Sequence, residues 1–387
     1  MSTLRVRAYN VRFGDAILVS IPDRDDQGHE ETRHILFDVG NVLSGAGGVD
    51  EVFEPVLRDV LAVLAGRPLD LYVMTHEHLD HIQGLLYASQ ILDLHLDVRN
   101  VWLPASAAEN YYDRFPNAKR RRLDLQETFD SIQRYFEAAT EQQRPLIDAL
   151  RLNNDWRSTE RCVAFLRGLT NPSYVHRGFD LTAAHPFAEA RLSIWAPEED
   201  TTVYYGTFQP MALAVGSTDD ERATPTLITP QPPAGVDAGT FYQLVELRQR
   251  TVIDNLLAID KANNNTSIVV CLEWRGWRLL FAGDAEQRSW KEMNRQGMLQ
   301  PVDFLKVAHH GSWNGTPPPS LLDKILPAPA PDGRERRALV STCADTYHGV
   351  PDDPTVGEIR RRAELVTVGD PTGPPFVDLE FEAPGGS

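Results

Sequence analysis

Thr75-His76-Glu77-His78-Leu79-Asp80-His81 places three imidazoles and a carboxylate within six consecutive positions, at the end of an apolar run. The run before it, Leu69 to Met74, has the β-branched and aromatic content of a strand, and Ile82 to Leu92 reads as a helix. The cluster therefore sits on a strand-to-helix turn. Side chains two apart on an extended chain point the same way, so His76 and His78 converge on one ion, while Asp80 and His81, past the bend, reach a second. Glu77 points away from its neighbours and reads as an outward residue or a support for the ligands.

With 387 residues, 42% of them hydrophobic, the chain has material for one large α/β core or two domains. No apolar stretch approaches the roughly 20 residues that span a bilayer, and nothing near Met1 combines a basic start, an apolar core and a cleavage site, so the expectation is a cytoplasmic protein without a membrane partner. Cys162, Cys271 and Cys343 are odd in number and too far apart for a zinc ribbon, which leaves buried free thiols. The net charge of −17 repels polyanions at long range, so any nucleic-acid binding has to be local.

Outward from the turn, Leu4–Val11, Asp15–Ile21 and Arg33–Phe37 read as strands, 50–65 as a helix and 98–103 as a further strand. From Ala105 to about Lys261 the pattern becomes long, polar and mostly helical, with a Pro/Gly/Thr-rich tract from Pro210 to Gly239 that reads as a loop. Strands return at Thr266–Trp274 and Trp277–Phe281, a hairpin turning at Arg275-Gly276, then near 304–308 and 338–342, with helices near Glu286–Gln296, Ser320 and Thr355. The division is 1–104 and 263–387 as two halves of one core, and 105–262 as a helical and loop insertion.

Further coordinating residues stand at the ends of apolar strands: Asp38 after Ile35-Leu36-Phe37, Asp284 after Leu280-Phe281-Ala282-Gly283, and His309-His310 after Leu305-Lys306-Val307-Ala308. A carboxylate can bridge two cations as no histidine can, which suits Asp284. Adjacent side chains diverge on an extended chain, so one of His309 and His310 is expected to be a ligand and the other to meet substrate or move protons; Gly311-Ser312 offers a tight turn with free amides.

These segments, with Phe13-Gly14-Asp15-Ala16-Ile17-Leu18, Phe37-Asp38-Val39-Gly40 and Asn264-Asn265-Thr266-Ser267-Ile268-Val269, resemble the metallo-β-lactamase superfamily. Their order and wording are similar to the hydrolase domain of ComEC-type competence proteins, over roughly residues 4–104 and 265–382. The resemblance implies an α/β fold, specifically an αββα sandwich, with two zinc or manganese ions at one edge of two facing sheets. It implies His76 and His78 on the first ion, Asp80 and His81 on the second, Asp284 between them, one of His309 and His310 closing the second site, and Asp38 orienting the motif turn. Many members add a first-ion histidine where this chain reads Asn263-Asn264-Asn265, so that ion is weakly held or borrows an amide oxygen, with Asn265 beside it. A histidine-proline pair of the ComEC type is replaced by Thr346-Tyr347-His348-Gly349-Val350-Pro351, which makes His348 a candidate catalytic residue.

Two cations close together lower the pKa of a shared water and stabilise charge on the attacked centre and the leaving oxygen. Asp80 is placed to accept the water's proton, and the spare histidine, His310 among the candidates, to protonate the leaving group. Arg114, Lys119, Arg120, Arg121 and Arg122 lie among Tyr111, Tyr112 and Phe115, a cluster suited to a phosphate backbone and stacked bases; a solvated helix face is the plainer reading of such a run. Arg114, Arg120, Arg121 and Ser312 are the candidate substrate contacts. The leading expectation is a metal-dependent phosphodiesterase or nuclease. The alternatives are a hydrolase of esters, lactones or other acyl compounds, and a non-catalytic metal-binding or regulatory module docking a protein partner through the insertion.

Overall fold

The structure, a computed structural model, describes residues 2–25, 27–41, 49–138, 145–205, 208, 238–330, 332–343 and 350–383. His348 and the tract from 210 to 237 lie outside the described residues. In chain order the strands are β1 Thr3–Tyr9, β2 Ile17–Arg24, β3 Glu30–Phe37, β4 Leu71–Val73, β5 Val101–Pro104, β6 Pro172–Val175, β7 Ala190–Ala196, β8 Val269–Trp274, β9 Trp277–Phe281, β10 Phe304–Lys306, β11 Arg337–Ser341, β12 Glu364–Val368 and β13 Phe376–Glu382. The helices are α1 Val49–Leu64, α2 Leu79–Gln90, α3 Tyr111–Arg114, α4 Pro116–Ala138, α5 Pro145–Asn153, α6 Trp156–Arg167, α7 Ala238–Asn264, α8 Gln287–Arg295, α9 Pro319–Ile325 and α10 Asp353–Arg360. Among the described residues no helix is long and apolar enough to cross a membrane.

Two mixed sheets make an α/β fold. The first runs β13-β1-β2-β3-β4-β5-β6 and the second β12-β11-β10-β9-β8-β7. In each, a meander of antiparallel strands continues into a run of parallel ones: β3 to β6 in the first, β9 to β12 in the second. Parallel strands end at the same edge, so Asp38, Thr75, Asp284 and His309-His310 follow strand ends of one polarity, where α/β sheets collect their chemistry.

The sheets share one apolar layer. Phe37 of β3 stacks on Phe281 of β9 with ring centroids 4.3 Å apart, and Phe304 of β10 meets the edge of Phe381 of β13. On the far face of the first sheet Leu36 and Tyr72 pack with Phe53 and Val60 of α1, Ile82 of α2 and Val163 of α6. On the far face of the second, Leu280, Leu305 and Val340 pack with Trp290 of α8, Ile325 of α9 and Ile359 of α10. The alternation of apolar residues through β1 and β13 and the nearly continuous apolar runs of β4, β5 and β10 follow from burial on one face or on two.

The span 105–262 holds α3 to α7, and Phe129 and Ile132 of α4, Leu150 of α5 and Leu256 and Ile259 of α7 form a small core of their own. It is not helix and loop alone: β6 adds an edge strand to the first sheet and β7 to the second. Ala190–Ala196 alternates buried and partly exposed positions through most of its length, a strand pattern that the surrounding polar helices mask in the sequence.

Candidate metal centre

Two glycines hold the histidine turn. Backbone amides of Asp15 and Val39 donate to the carbonyls of Asp80 (3.0 Å) and His81 (2.8 Å), drawing two loops against the start of α2. Gly14 and Gly40 are needed there, since a Cβ on Gly40 would lie 2.1 Å from both the Asp80 carbonyl carbon and the His81 nitrogen. Asp38, itself at φ 51°, accepts from the Thr75 amide (2.8 Å), the Thr75 hydroxyl (2.7 Å) and His81 Nδ1 (2.8 Å). His81 is thereby turned so that Nε2 faces inward.

Around that nitrogen gather Asp80, Asp284 and His310, all fully buried. Nε2 of His81 lies 3.2 Å from Asp284 Oδ2 and 3.8 Å from Asp80 Oδ1, and Nε2 of His310 lies 3.2 Å from Asp80 Oδ2 and 3.3 Å from Asp284 Oδ2. Asp80 Oδ1 and His81 Nε2 are buried without a hydrogen-bond partner. Two carboxylates and two imidazoles converging with orphaned ligand atoms are what a divalent cation requires, so these residues fit a metal. Across the turn His76 Nε2 faces His78 Nδ1 at 3.0 Å, and the His76 and His81 rings pack with centroids 4.2 Å apart.

His309 and His310 both occupy the left-handed region, at φ 48° and 53°, and their side chains part. His310 enters the centre, anchored by Nδ1 on the Ser341 carbonyl at 2.8 Å. His309 turns instead toward Asp260 and Glu286. Asn265 is engaged with Ser289 and the Lys261 carbonyl, and Ser312 closes its own turn by accepting from Gly315.

Several contributors escaped the sequence reading. Lys306, fully buried in β10, reaches the Gly283 carbonyl (3.0 Å), Asp284 (3.3 Å) and Asp15. A lysine between Leu305 and Val307 in a strand buried on both faces was the available signal. Asn153 and Asn154, at the end of α5, had none. Asn153 accepts from the Asp80 amide (3.0 Å), and Asn154 places its oxygen 3.0 Å from His78 Nε2 while its amide donates to Leu150 and Asp260. That amide orientation puts the proton of His78 on Nε2 and leaves the Nδ1 lone pair facing His76. Asn154→Ala is expected to cost roughly 10–100-fold in metal affinity, read by chelator competition.

Electrostatics complete the centre. Burial opposes each charge, yet His81 and His310 outweigh it and hold Asp80 at about 2, while Asp284 and Asp80 raise His310 to about 10. Asp284 is held well below the usual carboxylate range, against burial, by His310, His81 and Lys306. Without metal, imidazolium and ammonium groups balance the carboxylates. His310 then stabilises the fold fully below about pH 6.5, and this is lost as pH rises through about 10; Asp80 contributes above about pH 4 and loses it as pH falls through about 2. Ligand histidines must shed their protons, so metal binding runs the other way. The rise in melting temperature on adding manganese or zinc is expected to grow between pH 6 and 9, while the chelator-treated protein loses stability over the same range. Equal increments at both pH values would contradict this exchange of protons for metal.

Of the basic cluster, Arg114 pairs with Glu199 at the surface and Arg120 is exposed on α4. Arg122 touches the Tyr112 hydroxyl at 2.6 Å, Glu160 at 3.2 Å and Glu77 at 3.5 Å. A groove of about 320 Å³ beside the histidine turn is walled by Lys119, Arg122, Arg167, Tyr112, Trp156 and Glu77, among others. Arg114, Arg120 and Arg121 are not among its walls.

No protein-family model matches the chain, and no curated protein matches it. Among solved structures it is similar to a crystal structure of a long form RNase Z from yeast, at 11% identity and a TM-score of 0.30, over 95% of this chain and 37% of that one. The chain thus spans well under half of that protein, and a likeness this distant carries no weight for fold family or function.

Proposed function

We propose that the chain is a metal-dependent hydrolase of the metallo-β-lactamase type, its sheets and helices forming the αββα sandwich, with residues 1–104 and 263–387 as core halves around the 105–262 insertion. The observation that carries this reading is the convergence of Asp80, His81, Asp284 and His310 with two orphaned ligand atoms. His76 and His78 would hold one ion, and Asp80, His81, Asp284 and His310 would hold a second. Two such cations supply an acidified water and neutralise charge on the attacked group. Asp80, with one oxygen on His310 and the other free of hydrogen bonds, accepts the water's proton.

Phosphodiesters are the favoured substrates, supported by the ComEC-type wording of the motifs and by the groove, where Lys119, Arg122 and Arg167 offer cations and Tyr112 and Trp156 stacking faces. Glu77, Glu109 and Glu160 in the same walls temper that charge and favour, as a second reading, a less anionic acyl substrate. The test is metal content of the purified chain, beside turnover of bis-p-nitrophenyl phosphate, single-stranded DNA and RNA, p-nitrophenyl acetate and a lactone, with manganese or zinc. Two metals and phosphodiester cleavage are expected. Acyl turnover with inert phosphodiesters would transfer the site to the second reading, and a chain that binds no metal would end both.

A further inference from the structure

A second cluster, with Asp260 and Glu286 buried and His309 partly exposed, adjoins the first. Asp260 from the last turns of α7, Glu286 just ahead of α8 and His309 bring one ligand atom each to within 4.8 Å of one another. His309 Nδ1 lies 3.7 Å from Glu286 Oε1 and its Nε2 lies 4.0 Å from Asp260 Oδ2. An imidazole gives one nitrogen to an ion, and with one atom from each residue the three lie within 4.8 Å of one another, a little wider than the roughly 3 to 4 Å between ligands held about 2.1 Å from a cation.

The hydrogen bonding is incomplete in a way that points to one. Asn264, fully buried, sets its amide nitrogen 3.2 Å from Asp260, 3.1 Å from Glu286 and 3.3 Å from His309 Nε2. Two hydrogens face three acceptors, while Asn264 Oδ1, Glu286 Oε2 and His309 Nδ1 are buried without partners. Glu286 and Asn264 are 1% and 0% exposed, so water does not satisfy these atoms from outside. A half-turn of the amide exchanges its oxygen and nitrogen, and Asn264 then offers a fourth lone pair to the same point.

We propose that Asp260, Glu286, His309 and the Asn264 oxygen bind a third divalent cation, distinct from the two at the Asp284 centre. Two carboxylates, an imidazole and an amide oxygen form a set that suits manganese. The site ties the insertion to the hydrolytic edge: Asp260 also holds Asn154, which sets His78, and the His309 amide donates to Asp284 at 3.1 Å. The proposal goes beyond the hydrolase reading and does not depend on its substrate.

The experiment is manganese stoichiometry. Chelator-stripped protein is titrated with Mn²⁺, free ion being read by electron paramagnetic resonance and bound ion by elemental analysis, for the natural chain and for Glu286→Gln, His309→Gln and Asp284→Asn. Glu286→Gln and His309→Gln, each folded by circular dichroism, are expected to bind one ion fewer than the natural chain. Equal counts in the natural chain and these variants, or a natural chain binding none, would overturn the third site. Should Glu286→Gln fail to fold, His309→Gln, at a partly exposed side chain, decides alone. An unchanged count in Asp284→Asn would fault the main centre and leave the third-site comparison standing.

Discussion

On the proposed reading, Asp284→Asn is expected to lower turnover by roughly 10³-fold or more and to weaken metal binding, because it removes the charge of one of the two carboxylates that converge with His81 and His310. The physical cause lies in how much rests on one side chain. Asp284 accepts from Lys306 Nζ and from the His309 amide, and its second oxygen faces both His81 and His310. An asparagine keeps the volume and loses the charge. In the metal-free protein, three buried cations then share Asp15, Asp38 and Asp80, and breaking a buried ion pair of this kind costs about 3–5 kcal/mol. Metal content, turnover and denaturant midpoint on one preparation check the prediction. Full metal content with normal turnover would show that Asp284 serves the fold alone.

Gly40→Ala is expected to abolish folded protein altogether. The added methyl would meet the Asp80 and His81 backbone at 2.1 Å, and backbone held between Asp15, Val39 and the first turn of α2 cannot retreat as a flexible side chain would. Natural domains hold only about 5–15 kcal/mol in reserve, and a clash of main chain on main chain exceeds what one element can absorb. Soluble yield and the near-ultraviolet circular dichroism signal are the measurements; a soluble variant with native signal would mean the two loops pack less tightly than described. A contrasting variant, Gly28→Ala, meets nothing within 4 Å and, despite φ 82° there, is expected to fold.

Much of the candidate centre could be read from the chain because the residues that converge there come as short runs at strand ends. His76 to His81, Asp38 and Asp284 announce themselves by polar residues abruptly following apolar ones. What could not be read is whatever depends on where distant segments land. Asn153, Asn154 and Asp260 sit on helices whose polar faces look like any solvated surface, and their burial arises only when α5 and α7 fold over the histidine turn. The divergence of His309 and His310 is expected of an extended chain, yet here it arises from two consecutive left-handed residues that no pattern encodes, and these decide which ring enters the centre. In the fold, the hairpin at Arg275-Gly276 and the parallel strands β10 and β11 were legible. β6 was not, being four residues long and partly exposed, and β13 passed unnoticed despite alternating over Phe376–Glu382.

That last strand bears on how the protein is made. β13 follows β12 of the second sheet in sequence, yet it crosses to pair with β1 from Thr3↔Glu382 to Tyr9↔Phe376, joining the two extremities of the described chain. During synthesis at roughly 5–20 residues per second, β1 therefore waits tens of seconds with one row of backbone groups unpaired. Its inward residues Leu4, Val6 and Ala8 lack their cover from Leu379 and Phe381 for the same interval. A nascent chain so exposed is a template for other strands, and removal of residues 376–383, which strips β1 of its partner, is expected to yield aggregate rather than a smaller folded protein, as read by light scattering of the truncated chain.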